Sequence, residues 1–432
     1  MTVVGGGLAG CEAACRLASR GFAVTLYEMK PGVRSPAHRM DNLAELVCSN
    51  SLKAARVGTA AGLLKAEMRR MGSLLLKIAE RCAVPAGGAL AVDRDEFSRL
   101  ATQAIEENPS IRIVREELTT LPDPPAIIAT GPLTSPALSQ AIGEMLGRAH
   151  LSFYDAAAPI VTAASVNRDI AFPAARYGRG GEDYLNCPLN REEYERFWEH
   201  LIAGERAPLK DFERDGARFY EGCMPVEVLA SRGKDALRFG PLKPVGLSDP
   251  RTGKRPWAVV QLRQENAAAT LYNLVGFQTN LKFGEQKRIF SLIPGLEGAE
   301  FARYGVMHRN TFIDSPRLLG KTFSLREQPL LCFAGQLTGV EGYMESAASG
   351  ILAAEQLARR LAGQPPLELP PTTMLGALSG YIADESVANF QPMGASMGLL
   401  PPLEVRIKGK QERYQALADR ALQALENALS ST

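Results

Sequence analysis

The chain opens on an apolar strand that runs directly into a glycine loop: Thr2, Val3 and Val4 precede Gly5, Gly6, Gly7, Leu8, Ala9 and Gly10. Gly5, Gly7 and Gly10 have the GxGxxG spacing, and the segment Leu8 to Arg20 carries Leu8, Cys11, Cys15 and Ala18 at helical intervals. A second apolar strand, Ala23 to Tyr27, is closed by Glu28, eighteen residues beyond Gly10. Strand, glycine turn, helix, strand and acid in this order make the dinucleotide-binding fingerprint. The glycines serve a tight turn, close approach of the backbone to a pyrophosphate, and close helix packing. The helix N-terminus offers unpaired amides and a positive dipole end, and Glu28 would accept hydrogen bonds from the adenosine ribose. Such an opening predicts an α/β fold on a parallel sheet.

Further along, helical stretches are expected at Leu63 to Arg81 and Arg94 to Glu107, and strands at Ile111 to Val114 and Ala126 to Ala129. From about Thr134 to Tyr304 the texture shifts to segments rich in Pro, Gly and aromatic residues, such as PAARYGRGGEDY, with short strands at Trp257 to Leu262 and Leu274 to Phe277. The opening style returns at Leu330 to Ala334, a strand followed by a helix from near Gly342 to about Leu361. After PPLELPP, a charged helical stretch runs from Gly409 to Leu429. The expected layout is a discontinuous nucleotide-binding domain, 1–133 and 305–432, interrupted by an inserted α/β domain, 134–304.

The fingerprint alone does not separate NAD from FAD, but two later segments do. Ile127 to Gly131 ends a strand in Ala-Thr-Gly and resembles the second dinucleotide loop of FAD-binding oxidoreductases, with Thr130 and Gly131 as the contacts. Leu331 to Gly335 resembles the strand after which a flavin is held, and Gly339, Glu341 and Gly342 lead into a helix whose N-terminus can face the ring. The ordered set predicts an FAD-binding, Rossmann-like domain of the glutathione-reductase type. Flavoproteins of that type carry Asp after the last glycine, whereas this chain has Gln336.

A net charge of +2 excludes a global positive field, so a nucleic-acid partner would be held by local patches. Seven cysteines, at 11, 15, 48, 82, 187, 223 and 332, include no CxxC pair, which argues against a disulfide framework or a zinc site; no metal is expected. No apolar run reaches the roughly twenty residues a membrane span needs. The first strand begins at Thr2 or Val3 and leaves no room for a signal peptide in the chain as given, so a cytoplasmic setting is expected. Cys48, in AELVCSNSLK, and Cys223, in FYEGCMPVE, stand in polar, turn-like settings, while the other five look structural. Spacing alone does not separate either from a buried small hydrophobe. Ser49 and Asn50 read as helix caps, which would place Cys48 at a helix N-terminus that lowers its pKa.

Nearly the whole chain resembles the folate- and FAD-dependent tRNA uracil-5-methyltransferase family. The resemblance is carried in order by GGGLAGCEAA, LVCSNSLK, AVPAGGALAVDRDEF, ATGPLTS, YDAAAPIV, DYLNCPLN, GCMPVE, FGPLKPVGL, VVQLRQEN, LVGFQTNLK, RYGVMHRNTFI, FAGQLTGVEGYMESAASG and FQPMGASMGLLPP. Gln336 fits this family. The resemblance implies FAD reduced by NAD(P)H, 5,10-methylenetetrahydrofolate as carbon donor, and 5-methyluridine at tRNA position 54 in the T-loop as product.

Uracil carbon 5 is a poor nucleophile until a thiolate adds at carbon 6; the resulting enolate attacks an electrophilic methylene, and a second group removes the carbon-5 proton. By similarity Cys223 is the expected nucleophile and Cys48 the expected base, and the two roles can be exchanged. Tyr343 is expected to contact the flavin, or else to staple its helix. His308 would meet the folate pterin and Lys408 and Lys410 its glutamate tail, a structural histidine and a solvated charged face being the alternatives. Arg176, Arg179 and Lys282, with Arg69, Arg70, Lys287 and Arg288, are the candidate RNA contacts, and the inserted domain is the expected grip on the T-loop. Two other functions share these motifs: the same chemistry on a ribosomal RNA uridine, and a flavin-dependent NAD(P)H oxidoreductase acting on a small molecule.

Overall fold

Five parallel strands form the sheet that the opening fingerprint requires, in the spatial order Leu331–Phe333, Ala126–Ile128, Thr2–Val4, Val24–Tyr27 and Ile111–Val114. The computed structural model describes residues 1–35, 37–147, 151–178, 181–207, 224–387 and 390–430, with main chain only at 151–156 and 307–310. Register sets Val3 beside Leu26 and Ile127, and Ile127 beside Cys332. Every residue of Ala126–Ile128 and Leu331–Phe333 is buried, so both faces of these strands are covered and they read as unbroken apolar runs.

The first helix, Leu8–Ser19, and the long helix Tyr343–Leu361 pack backbone against backbone. A β-carbon on Gly350 would lie 2.1 Å from the Ala9 carbonyl oxygen, and one on Gly10 would lie 1.8 Å from that of Gly5. Neither position accepts a side chain without moving main chain, which ties the glycine loop to the helix that follows Gly342.

The expected helix Leu63 to Arg81 is two helices, Ala60–Arg70 and Leu74–Arg81. Gly72 takes a left-handed turn (φ +77°), and Ser73 restarts the chain as an N-cap whose hydroxyl accepts the Leu76 amide at 3.1 Å. Apolar spacing continues across the break, which conceals it. The expected strand Leu274 to Phe277 lies earlier, at Leu271–Leu274, because Gly276 (φ +78°) turns the chain against Pro241.

A second sheet has six strands in the order Phe172–Pro173, Tyr184–Leu189, Ala258–Gln264, Leu271–Leu274, Ile160–Thr162 and Phe301–Arg303, every pairing antiparallel. Its core is separate from the first and includes Leu185, Cys187, Phe197, Phe277 and Phe290, with the last two rings edge to face at 5.3 Å. The chain passes between the two sheets through a pair of antiparallel strands, Leu151–Ala156 and Met307–Phe312. Among the described residues no helix is long and apolar enough to cross a membrane.

Candidate functional site

Three strand ends meet at the carboxyl edge of the parallel sheet, where ligands of open α/β folds bind. Gly5 (φ +101°) fits there only without a side chain, since its β-carbon would stand 2.6 Å from the Ala129 carbonyl oxygen. Gly7 caps the first helix, and nothing lies within 4 Å of where its β-carbon would be, which is the open approach a pyrophosphate needs. Leu8, Ala9 and Gly10 are buried in the first turn and present main-chain amides that an α-helix leaves without intrahelical partners.

Glu28 is buried; one carboxylate oxygen accepts the Gly6 amide at 2.8 Å and the other the Lys30 amide at 3.0 Å. Each oxygen keeps an acceptor direction for a ribose hydroxyl. Gly5, Gly6, Gly7, Glu28, Thr130 and Ser135 line a cavity of about 80 Å³. Thr130 and Thr134 share a 2.6 Å hydroxyl hydrogen bond beside Gly131 (φ +68°), which closes the loop opposite the glycines. An open glycine, a row of helix amides and a two-oxygen acceptor fit the adenosine diphosphate half of a dinucleotide.

A second cavity, of about 200 Å³, is lined by residues that include Cys48, Lys53, Gln336, Glu341, Gly342 and Tyr343. Gly335 (φ +79°) ends the Leu331–Phe333 strand and donates its amide to the Ser349 hydroxyl at 2.7 Å. The Gln336 side-chain amide donates to a Glu341 carboxylate oxygen at 2.5 Å. Asp at position 336 would set a second carboxylate against Glu341, which accounts for the glutamine. Gly339 (φ +81°) lies under the Phe390 ring, and Gly342 (φ +122°) is the N-cap of the long helix.

Tyr343, the first residue of that helix, accepts two main-chain amides with its hydroxyl oxygen, from Cys48 at 2.7 Å and Ser49 at 3.1 Å. Burial pushes its pKa well up, the nearby Cys48 adds to the rise, and Arg94 opposes it. The phenol is therefore neutral, and besides facing the cavity it anchors the segment that carries the half-buried Cys48.

No helix follows Cys48, contrary to the capping expectation, because Ser51–Ala54 is a strand. Ser and Asn side chains stabilise turns with the same hydrogen bonds they use in caps, and here they brace a turn. The Ser49 hydroxyl accepts the Ser51 amide at 3.1 Å and an Arg263 N–H at 2.8 Å. Asn50 is fully buried; its amide donates to the Val92 and Gln264 carbonyls, each at 3.0 Å, and its oxygen accepts from Arg263 Nε at 3.0 Å.

Positive charge reaches Cys48 from side chains that sequence reasoning missed. Arg94 donates to the carbonyls of Leu46 and Cys48 and pairs with Glu265, while Arg303 donates to the Val47 carbonyl at 2.6 Å. The available signal was Arg263 inside the apolar strand AVVQLRQ, since a charge in such a run is buried and needs partners.

The remaining expected residues that the structure describes are dispersed. Cys223 and Arg179 lie outside the described residues, and so does the His308 side chain, whose main chain pairs with Asp155. Lys408 lines another cavity, of about 570 Å³, with Arg406, Arg413 and Tyr414, and Lys410 places its ammonium 5.5 Å from the Tyr414 ring centre. Among the described residues none lines both that cavity and the Cys48 cavity. Arg176 spends donors on Gln261 at 2.8 Å and on the Lys243 and Val245 carbonyls, acting as a brace. Lys282 pairs with Glu205, Arg69 with Glu80, Arg70 with Glu426 and Arg288 with Glu285. Burial pushes the thiols of Cys15, Cys187 and Cys332 up to about 12 and Cys82 up to about 11, with Cys11 also well raised, so these stay protonated near neutrality. Among the described residues no cluster of three or more His, Cys, Asp or Glu side chains could hold a metal ion.

Residues 1–365 match the family described as glucose inhibited division protein A. A Pelotomaculum thermopropionicum protein named methylenetetrahydrofolate–tRNA-(uracil-5-)-methyltransferase TrmFO is 60% identical over 427 residues, covering 99% of this chain and 97% of its own length. The chain belongs to the TrmFO family. A Halalkalibacterium halodurans TrmFO is 55% identical over 427 residues, covering 99% of this chain and 98% of its own. Among solved structures, Aquifex aeolicus GidA in its form II crystal matches 99% of this chain and 73% of its own, with a TM-score of 0.70 at 15% identity. At that identity GidA and this TrmFO family member share the fold: a parallel, Rossmann-like sheet with an inserted second sheet.

Proposed function

We propose that this chain transfers a one-carbon unit from 5,10-methylenetetrahydrofolate to carbon 5 of a tRNA uracil, at T-loop position 54, with FAD as bound cofactor and NAD(P)H as reductant. Cys48 carries the reading: it shares one cavity with Gln336, Glu341, Gly342 and Tyr343, beside the same strand ends that cradle the dinucleotide.

In this reading residues 1–133 and 305–432 form the FAD-binding domain, and 134–304 grip RNA through groups such as Arg176, Arg179 and Lys282. The Gly5–Gly10 amides take the pyrophosphate, Glu28 takes the ribose, and Thr130 and Gly131 close over the diphosphate. Gln336, Gly339, Glu341 and Gly342 face the ring. The chemistry that FAD supplies, once reduced, is carriage of the carbon and its final reduction. Cys223 adds to uracil carbon 6 and Cys48 takes the carbon-5 proton, exchange of the two roles being the other assignment. Tyr343 holds Cys48 by its main chain throughout. His308 meets the pterin, and Lys408 and Lys410 the glutamate tail.

Transfer of label from methylenetetrahydrofolate to tRNA transcripts with and without the target uridine tests this directly. Label is expected only where the uridine is present. Cys48→Ala should lower transfer by roughly a hundredfold or more while flavin absorbance is retained. Label that survives loss of the uridine, or full transfer by Cys48→Ala, overturns the reading.

A further inference from the structure

Three arginines converge on the main chain around Cys48 from elements far apart in sequence, and all three are buried. Arg94 begins the helix Arg94–Glu106, Arg263 lies in the strand Ala258–Gln264, and Arg303 ends the strand Phe301–Arg303. Between them they hold the Leu46, Val47 and Cys48 carbonyls and the Ser49 and Asn50 side chains. Among the described residues their charge is poorly matched. Glu265 is the carboxylate paired with Arg94, its second oxygen is buried without a hydrogen-bond partner, and so is Arg303 Nε. Arg39 adds to the positive field at Arg303. Buried cations in such excess favour an anion among them. Each of the three guanidiniums interacts electrostatically with Cys48.

We propose that Arg94, Arg263 and Arg303 are positioning residues for Cys48: they clamp residues 46–50 between the two sheets and hold the thiol as its thiolate, the proton passing to solvent. The proposal rests on the role given to Cys48 above and explains how that residue becomes a base where no helix end is available. Other groups also face the thiol. Tyr343 stands against its loop as a neutral phenol, Lys53, Glu341 and Glu345 line the same cavity, and Tyr184 lies in the field of Arg263. Lys53 is paired with Glu345 at 2.9 Å, and Glu341 accepts the Gln336 amide, so of the carboxylates on the cavity side Glu341 is the one set against the three arginines.

The test is the pH dependence of Cys48 alkylation by iodoacetamide, followed by peptide mass spectrometry on the full-length flavin-bound protein without RNA or folate. Arg303→Gln and Arg263→Gln should each move the alkylation midpoint upward by about one pH unit or more. Glu265→Gln removes the opposing carboxylate and should move it downward. Arg303→Lys, which keeps the charge, should stay near the parent. A purely structural clamp would change the rate at every pH and leave the midpoint in place, and that result overturns the proposal, as does an upward shift in Glu265→Gln. Should the arginine variants fail to fold, Glu265→Gln decides alone, being nearly the same size and shape. Because no substrate is present, an unmoved midpoint with methylation intact sinks the thiolate proposal and spares the function, whereas a moved midpoint with full transfer by Cys48→Ala does the reverse.

Discussion

A single phenol oxygen at Tyr343 receives the amides of Cys48 and Ser49, so its removal leaves two main-chain donors without their acceptor. Tyr343→Phe keeps the ring and should cost about 1–3 kcal/mol, seen as a lower urea midpoint. Flavin content should persist, while kcat falls and KM for tRNA changes little, because what is lost is the placing of Cys48. Unchanged kcat would mean that the loop is held well enough by the arginines alone. The strand–helix–strand unit of the proposed nucleotide cradle was legible because its signals are local: Gly5, Gly7, Gly10 and Glu28 mark it by spacing alone. The surroundings of Cys48 were not. Arg263 is 213 residues from Asn50 and Arg303 is 256 from Val47, and no local pattern carries pairings of that reach. Ser49 and Asn50 were read as caps because a cap and a braced turn use the same short polar side chains.

Element pairs show the same division between what is local and what is not. The helix Ala60–Arg70 is pinned end-on to the helix Met374–Ile382 by Glu67, whose carboxylate accepts the Met374 amide at 2.7 Å and the Leu375 amide at 2.8 Å. Burial outweighs those hydrogen bonds and pushes the Glu67 pKa up from 4.5 to about 7. Between those values the folded chain holds a proton that the unfolded chain has released, so this group makes stability fall as pH rises from about 4.5 to 7. Urea midpoints across that range should show the decline, and Glu67→Gln should flatten it; an identical slope in the variant would remove Glu67 as the cause. The break between Ala60–Arg70 and Leu74–Arg81 did have a signal, Gly72 followed by Ser73, but continuous apolar spacing obscured it. The helix Arg94–Glu106 was legible almost to the residue, since an acidic N-cap, Asp93, meets a regular apolar stripe.

At the scale of the molecule, the parallel sheet presents its carboxyl edge to the proposed dinucleotide site, while the second sheet reaches the Cys48 loop through the Arg263 and Arg303 side chains and the Gln264 carbonyl. Ligand binding should therefore be felt unevenly. Stripping the flavin should speed amide hydrogen exchange at residues 5–10, 130–135 and 335–342 and leave the strand Ala258–Gln264 unchanged. Equal loosening of both sheets would mean that the cofactor organises the whole chain. The passage between the sheets has a consequence of its own. Leu151 pairs with Phe312 and Ala156 with Met307, and the ladder continues where the Ala157 amide meets the Val306 carbonyl at 2.8 Å. The outgoing and returning chains thus stand about 5 Å apart, the spacing of neighbouring strands. A segment whose two ends lie side by side is a cassette: a short hairpin turn could replace it without stretching the sheet it interrupts, and a different cassette could be spliced in at the same doorway.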